Sequence, residues 1–519
     1  MSALLALVLS LSGAQPEPAP APAGAPAGTE TAEPIKVPTM EERQAVFGEA
    51  NDLYKTGRKK EAADRLVVVA EDPANEMFHA EAYARLGAIL KELELPYSAL
   101  IAYSKALEAS PQAVASEVKK MIELGDVVGD TALLEPLLAQ NVGLSVDKGT
   151  QSRMAYLAAR GANRTGSYAT ALAILKMVSD KDPNYAESKQ LEGIVLSLQG
   201  RPKDALAPLL IAEAILKQRE ASAENDKQLV ELHMNIARAY YGAENFGRAV
   251  EYFAMVPRTS ELWVEAQFER AWAHFRLDDM NGVLGLTQTH ASPFLDKAYF
   301  PEAELLRVYA LFMMCKFPQA SKEIEAFTTQ YTGTLETLRA QSNRSAEDLF
   351  ASMAAAVDDP KKGDLPSMVK VPFVHETRFL DRLHAIENAD EEIARLDAVK
   401  ENTFAQACTR WVEARKADVI RTEGNRIHDQ VAAMEVGLAN YLDNVQVSKL
   451  DIMQMETRLY EQAANLGAMP EPPRKVSRSL RMTRGYLYWP WEGEYWADEV
   501  GYYRVDAKPD CPAALKMTR

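Results

Sequence analysis

Between residues 40 and 331 the apolar positions recur at intervals of three or four, in short bursts separated by polar or glycine-containing turns. That is the pattern of amphipathic helices laid down in pairs. In residues 80–111, AEAYARLGAILKELELPYSALIAYSKALEASP, Leu86 and Leu90 fall one turn apart on a first helix. Gly87 and Ala99 are small enough to let a second helix cross at close range, and Pro111 cannot continue it. Related bursts run through Ala50–Pro73, Ala159–Pro183, Gly193–Ala212, Ile236–Phe253, Ala271–Val283 and Leu311–Ile324. Ala171 and Ala205 lie 34 residues apart, as do Ala249 and Val283. Residues 114–148 have a helical composition but a degenerate pattern. Residues 214–228, rich in Glu and Lys, lengthen a helix ahead of Ile236. A single pair of amphipathic helices cannot bury its own apolar faces, so the pattern implies a stacked array.

Tyr83, Leu86, Gly87 and Leu90, then Ala99, Tyr103 and Ala106, closing on Pro111, resemble the tetratricopeptide (TPR) repeat. Its pattern is W-x2-L-G-x2-Y, A-x3-F and P over roughly 34 residues. The resemblance covers about two thirds of the chain and implies an all-α TPR superhelical solenoid over residues 40–331, with about seven recognisable repeats.

Beyond Tyr331 the repeat fades, and the prolines and charges of 357–372 mark a break within a 332–372 connector. Residues 373–473 read as long helices. Val431, Met434, Leu438, Tyr441, Val445, Ile452, Met455 and Leu459 form a heptad stripe interrupted only by Ser448. The stripe suits an antiparallel helix pair folded back on itself or an intermolecular coiled coil. The internal hairpin is the expectation, because Pro470, Pro472 and Pro473 end the stripe after few heptads. Residues 474–519 form an aromatic-rich cap. Within it Trp489, Pro490, Trp491, Gly493, Glu494, Tyr495, Trp496, Asp498, Glu499, Gly501, Tyr502, Tyr503 and the late Cys511 resemble the closing segment of TPR proteins of the Gram-negative envelope. Gliding-motility and TonB-associated proteins are among these. The resemblance implies a place in motility or energy-coupled envelope machinery.

Composition narrows the function classes. A net charge of −16 over 519 residues argues against general nucleic-acid binding. Residues 2–11 are a short apolar run, and Ser12-Gly13-Ala14 follows as a cleavage-like site, so 1–14 is a candidate signal peptide. Residues 15–39 are a Pro/Ala-rich linker of semi-rigid character. Export to the periplasm or cell envelope is the expectation. Cys315, Cys408 and Cys511 show no metal-ligand spacing. Cys511 could bridge to Cys408 or Cys315 in an oxidising compartment; three unpaired thiols are the default reading.

No catalytic motif is present, and no cofactor or metal is expected. The run Gly161–Ser167 lacks the lysine of a phosphate-binding loop, and His274 is read as a packed helix residue. Acidic residues among the tail tryptophans (Glu492, Glu494, Asp498, Glu499) are compatible with sugar chemistry, but without a cleft they read as a solvated rim.

The TPR resemblance implies that first helices line a concave groove, with ligand-facing residues beside and one turn beyond the consensus glycine. These are Arg160, Asn163, Arg164, Arg238, Tyr241, Trp272, Phe275, Arg276, Tyr309 and Phe312. Planar guanidinium groups and aromatics suit an extended, acidic or C-terminal peptide. The expectation is a non-enzymatic protein–protein interaction scaffold, with envelope proteins or peptides as partners and peripheral contact with a membrane or the cell wall. The alternative is a peptidoglycan- or sugar-binding module using Trp489, Trp491, Glu494, Trp496, Asp498 and Glu499.

Overall fold

The structure, a computed structural model, describes residues 40–295, 298–359, 362, 364–465, 478–480 and 495–511. The candidate leader, the Pro/Ala linker and Trp489, Trp491 and Glu494 lie outside the described residues.

Apart from one two-stranded antiparallel pair, Arg478–Leu480 with Tyr503–Val505, the described secondary structure is helical. Seven turns share one geometry. Gly57, Glu94, Gly166, Gly200, Glu244, Asp278 and Cys315 all have φ between 54° and 80°. Each stands two residues ahead of the helix that starts at Lys59, Pro96, Tyr168, Pro202, Phe246, Met280 or Phe317. In six of the seven turns the following N–H reaches the carbonyl five residues back, as Leu95 does to Leu90 and Lys316 to Leu311. This is the left-handed C-terminal cap that ends a helix and reverses the chain. Helical hairpins of the TPR type therefore follow one another along residues 40–342.

Small residues permit the crossing. A Cβ on Gly87 would sit 2.9 Å from the Tyr103 ring, so only glycine allows this aromatic to lie flat on the first helix. Over 114–148 the hairpin geometry lapses into the short helices Val118–Val128 and Glu135–Gln140 with 3-10 turns between.

The chain divides into two compact units. The first holds described residues 40–198 together with Leu380–Ile420. Its core includes Leu66, Leu86, Leu90, Leu100, Tyr97, Tyr103, Phe404 and Cys408. The late helices are tied into it by buried polar groups. Glu392 accepts hydrogen bonds from the Tyr97 N–H (2.7 Å), the Ser98 N–H (2.6 Å) and the Ser98 hydroxyl, so a carboxylate caps the helix Pro96–Ala109 from 294 residues away. Asp130, fully buried, accepts from Arg382, Arg415 and Tyr97. Asp64 accepts from the Phe404 N–H, and Glu71 from the Trp411 indole. The Cys408 thiol is pushed up to about 12 by burial and is chemically quiet.

The second unit holds Gln199–Phe379 with described residues from Arg421 onward. Here the sequence expectation of a folded-back heptad hairpin fails. Thr403–Asn465 is one continuous helix, and its stripe residues Val431, Met434, Leu438, Val445 and Ile452 are buried within the chain. Tyr441 donates to Glu302 (2.8 Å), Ser342 to Glu435 (2.6 Å), and His428 contacts the Ser342 carbonyl. The 3-4 spacing fixes a buried face, and that face is met by helices of 298–342 rather than by its own continuation.

The thiol expectation is also corrected. Cys315 and Cys511 form a disulfide, leaving Cys408 as the free cysteine. Cys315 occupies the left-handed turn position of the last hairpin, and a turn tip gives a bonding partner access to its sulfur.

Candidate functional site

The ligand-facing residues inferred from sequence fall into both units and are described unit by unit. In the first, Arg160, Asn163 and Arg164 stand on the helix Lys148–Arg164, which the Asp147 carboxylate caps through the Gly149 and Thr150 N–H groups. Gly161 brings this helix against the preceding short helix Glu135–Gln140, since a Cβ there would lie 2.9 Å from that of Glu135. Glu135 is buried, and both arginines pair with it, at 3.5 Å from Arg160 and 2.7 Å from Arg164. Their charge is therefore committed inside the protein. Arg160 also lies over the Tyr156 ring. Asn163 Oδ1 finds no hydrogen-bond partner among the described residues.

In the second unit three successive first helices, Ala223–Gly242, Trp263–Arg276 and Pro301–Met313, carry the remaining residues. Arg238 reaches across to the next helix, pairing with Glu265 (2.8 Å) and also with Glu269. It keeps about 43% of its side chain open to solvent. Burial raises the Glu269 carboxyl, with help from the charges of Glu265 and Glu302, against the pull of Arg238. Tyr241 packs edge-on to Phe246 at 5.2 Å, and Arg276 lies over the same Phe246 ring at 4.5 Å. Burial raises the Tyr241 phenol, opposed by the charge and hydrogen bond of Arg276. Trp272 and Phe275 meet edge-to-face at 5.7 Å, and Phe312 packs on Phe317. All are half-buried except Arg238, which is exposed.

At the other end of this ladder the long helix already supplies partners. Burial raises the Glu302 carboxyl, countered by the hydrogen bond from Tyr441 and by the nearby Trp272 indole. Burial likewise raises the Tyr309 phenol, countered by Ser448. Tyr309 thus lies near Ser448 of the long helix, whereas Arg238, Tyr241 and Arg276 stand at the end that the long helix does not reach by any described hydrogen bond.

The carboxylates Glu135, Glu265 and Glu269 were missed from the sequence, and they change the electrostatics. Arg160, Arg164 and Arg238 are neutralised; Arg276 is the one arginine of the set without an ion pair among the described residues. A signal for part of this does exist: Glu265, Glu269, Trp272 and Arg276 are spaced four, three and four, and so share a helix face. His274 sits at a helix end, 2.9 Å from Asp279, as a local turn contact. No group of three or more His, Cys, Asp or Glu is placed to hold a metal ion among the described residues.

In the tail, Trp496 and Asp498 are exposed and Glu499 is half-buried. Arg258 holds the main chain beside them, donating to the carbonyls of Ala497 and Asp498.

No family model matches the chain, and no curated protein matches it. Solved structures do. A tetratricopeptide repeat protein from Parabacteroides merdae is 15% identical, with 55% of this chain and 92% of that chain covered at a TM-score of 0.26. The apo form of RapI is 10% identical, covering 74% and 98% at 0.33. A Rap protein complexed with competence and sporulation factor is 12% identical, covering 74% and 99% at 0.28. Superposition this loose carries no argument about activity, and the fold rests on the molecule's own repeating turns: an all-α array of TPR-type helical hairpins, followed by long helices.

Proposed function

We propose that the protein is a non-enzymatic scaffold that captures an extended segment of a partner protein on the first-helix ladder of its second unit. The observation that carries this is the set Tyr241, Trp272, Phe275 and Arg276. Its half-buried aromatics share the ladder with one guanidinium that stacks on Phe246 and makes no ion pair among the described residues. Aromatics and arginine are the side chains that most often dominate binding energy, and a stacked guanidinium is already oriented for a carboxylate. An earlier expectation of a broadly basic groove narrows accordingly to one carboxylate on Arg276. The neighbouring Arg238, Glu265 and Glu269 form a neutral-to-acidic rim.

We place this activity outside the cytoplasm, within an envelope assembly. The Cys315–Cys511 disulfide supports that reading, because such bonds persist in oxidising compartments, and the candidate leader agrees with it. The tail resemblance further suggests motility or energy-coupled machinery.

The test is Arg276→Glu. Arg276 makes no described ion pair, so the change should cost the fold no more than the stacking on Phe246, about 1 kcal/mol. Partner capture from native envelopes should fall at least ~10-fold, the effect of about 1.4 kcal/mol. Capture at the parental level by a folded Arg276→Glu protein would refute the site.

A further inference from the structure

The segment 495–511 packs chiefly on a second helix of the repeats. It crosses the second helix Met280–His290, then the turn before Phe317. Its contacts are of an unusual kind for a chain end: most of them read main chain. The Asn281 side chain donates to the Ala507 carbonyl (3.2 Å) and accepts from the Ala507 N–H (3.0 Å), as a neighbouring strand would. The Asp510 N–H donates to the Met314 carbonyl at 2.9 Å. Arg258, lying over the rings of Trp263 and Tyr502, holds two further carbonyls. Gly285 provides the clearance, since a Cβ there would be 2.6 Å from the Tyr503 carbonyl oxygen. Gly501 does the same over Trp263.

Side chains of the segment are read as well: Tyr502 lies under Arg258, the Tyr495 hydroxyl accepts from Gln288, and Asp510 is met by a buried charge. Lys316 is fully buried, and its ammonium meets the Asp510 carboxylate at 3.0 Å. Burying a lysine this deeply is costly unless a carboxylate accompanies it, so the cavity selects an acidic residue at that point. The next residue, Cys511, is bonded to Cys315, the neighbour of Lys316.

We propose that the outer surface formed by Arg258, Asn281, Gly285, Met314 and Lys316 is a binding site for an extended peptide bearing one acidic residue. The chain's own C-terminal segment occupies it, and the Cys315–Cys511 disulfide latches that segment in place. Main-chain recognition plus one side-chain pocket is how extended peptides are bound elsewhere. The latch opens by thiol–disulfide exchange with a dithiol reductant. One reductant thiolate attacks a sulfur of the bond and forms a mixed disulfide, the reductant's second thiol then displaces it, and two cysteine thiols and one oxidised reductant result. Once the covalent link is broken, the segment is held by non-covalent contacts alone, the strand pair with Arg478–Leu480 among them, and a second peptide of the same chemistry can exchange with it.

The experiment uses the full chain carrying Cys408→Ser and Cys511→Ser, which leaves Cys315 as its single thiol. The probe is a synthetic peptide copying residues 495–511, its cysteine activated as the mixed disulfide with thionitrobenzoate. Attack by the Cys315 thiolate on the peptide sulfur releases thionitrobenzoate, which is followed by absorbance. Release should be at least ~10-fold faster than with a scrambled peptide bearing the same activated cysteine, corresponding to about 1.4 kcal/mol of non-covalent recognition. A peptide carrying Asp510→Asn should lose most of that advantage. Equal rates for the three peptides would overturn the site. A second measurement needs no substitution: amide exchange at residues 503–510 of the unaltered protein should accelerate at least ~10-fold on adding dithiothreitol. Exchange that stays unchanged in verified reduced protein would overturn the latch.

Discussion

Asp130 is the most exposed weakness of the first unit in energetic terms, although it is fully buried. Its carboxylate accepts from Arg382 Nη1 (3.0 Å), Arg415 Nε (2.7 Å) and Nη2 (2.9 Å), and the Tyr97 hydroxyl (2.9 Å). Asp130→Ala removes all four acceptor contacts and leaves two guanidinium groups largely buried. Breaking one side of a buried ion pair costs about 3–5 kcal/mol, because the remaining charge is uncompensated. Arg415 retains Asp418 at 2.6 Å, which places the expected loss near the lower end, about 3 kcal/mol. For a unit of this size each kcal/mol moves the midpoint by roughly 2–4 °C, so the first thermal transition should fall by roughly 6–12 °C. Scanning calorimetry gives the shift, and amide exchange in the helix Pro96–Ala109 locates it. Asp52→Ala, which removes an exposed i,i+3 partner of Lys55 in the same unit, is the control and should cost under about 0.5 kcal/mol. The pH dependence has a definite sign. Burial alone would raise the Asp130 carboxyl, but hydrogen bonding and charge from Arg415, with Arg382 and Tyr97, hold it below its ordinary value. Its contribution is therefore present above the unfolded value near 3.9 and lost as pH falls through the lower folded one. A midpoint within about 1 °C of the parent, matching the control, would refute the reasoning.

Two further outcomes follow from the same physical arguments. His290 lies half-buried between Phe268 and Phe300, and its desolvation lowers its pKa to about 4, against the pull of the Leu286 and Val264 carbonyls. Stability of the second unit should thus be fully present above pH 6.5 and decline by about 3 kcal/mol as pH falls to 4, and His290→Gln should flatten that slope in urea titrations. Glu94 and Glu244 hold left-handed turn positions that Gly57, Gly166 and Gly200 fill elsewhere. Each Glu→Gly change should stabilise the protein by about 1 kcal/mol in chemical denaturation.

Much of the fold is written locally. The small residues and the 34-residue spacing appear in the sequence because each hairpin must cross at short range, and Gly87 against Tyr103 shows why. The seven turns fall two residues before a second helix whether glycine, glutamate, aspartate or cysteine occupies them, so the cap matters more than the residue type. What sequence could not supply is partnership over distance. A heptad stripe specifies a buried face but not what covers it, and the face of Thr403–Asn465 met the repeat helices instead of itself. Cys315 and Cys511 are 196 residues apart, and nothing local announces their pairing. The arginines were legible on their helices, yet their charge depended on carboxylates such as Glu135, which lies in the stretch where the repeat pattern lapses. Sequence therefore placed these residues on their helices but not the carboxylates that set their electrostatics.

The most direct test of peptide capture is site-specific photocrosslinking in native envelopes, with a photoreactive phenylalanine analogue replacing either Tyr241 or Tyr309. Tyr241 stands beside Arg276 at the end the long helix does not reach by any described hydrogen bond, whereas Tyr309 lies near Ser448 of that helix. An adduct with a discrete partner from position 241, weaker or absent from 309 and lost on adding Arg276→Glu, is the expected result. Adducts of equal yield from both positions, or none from 241 in folded, exported protein, would contradict capture on this face.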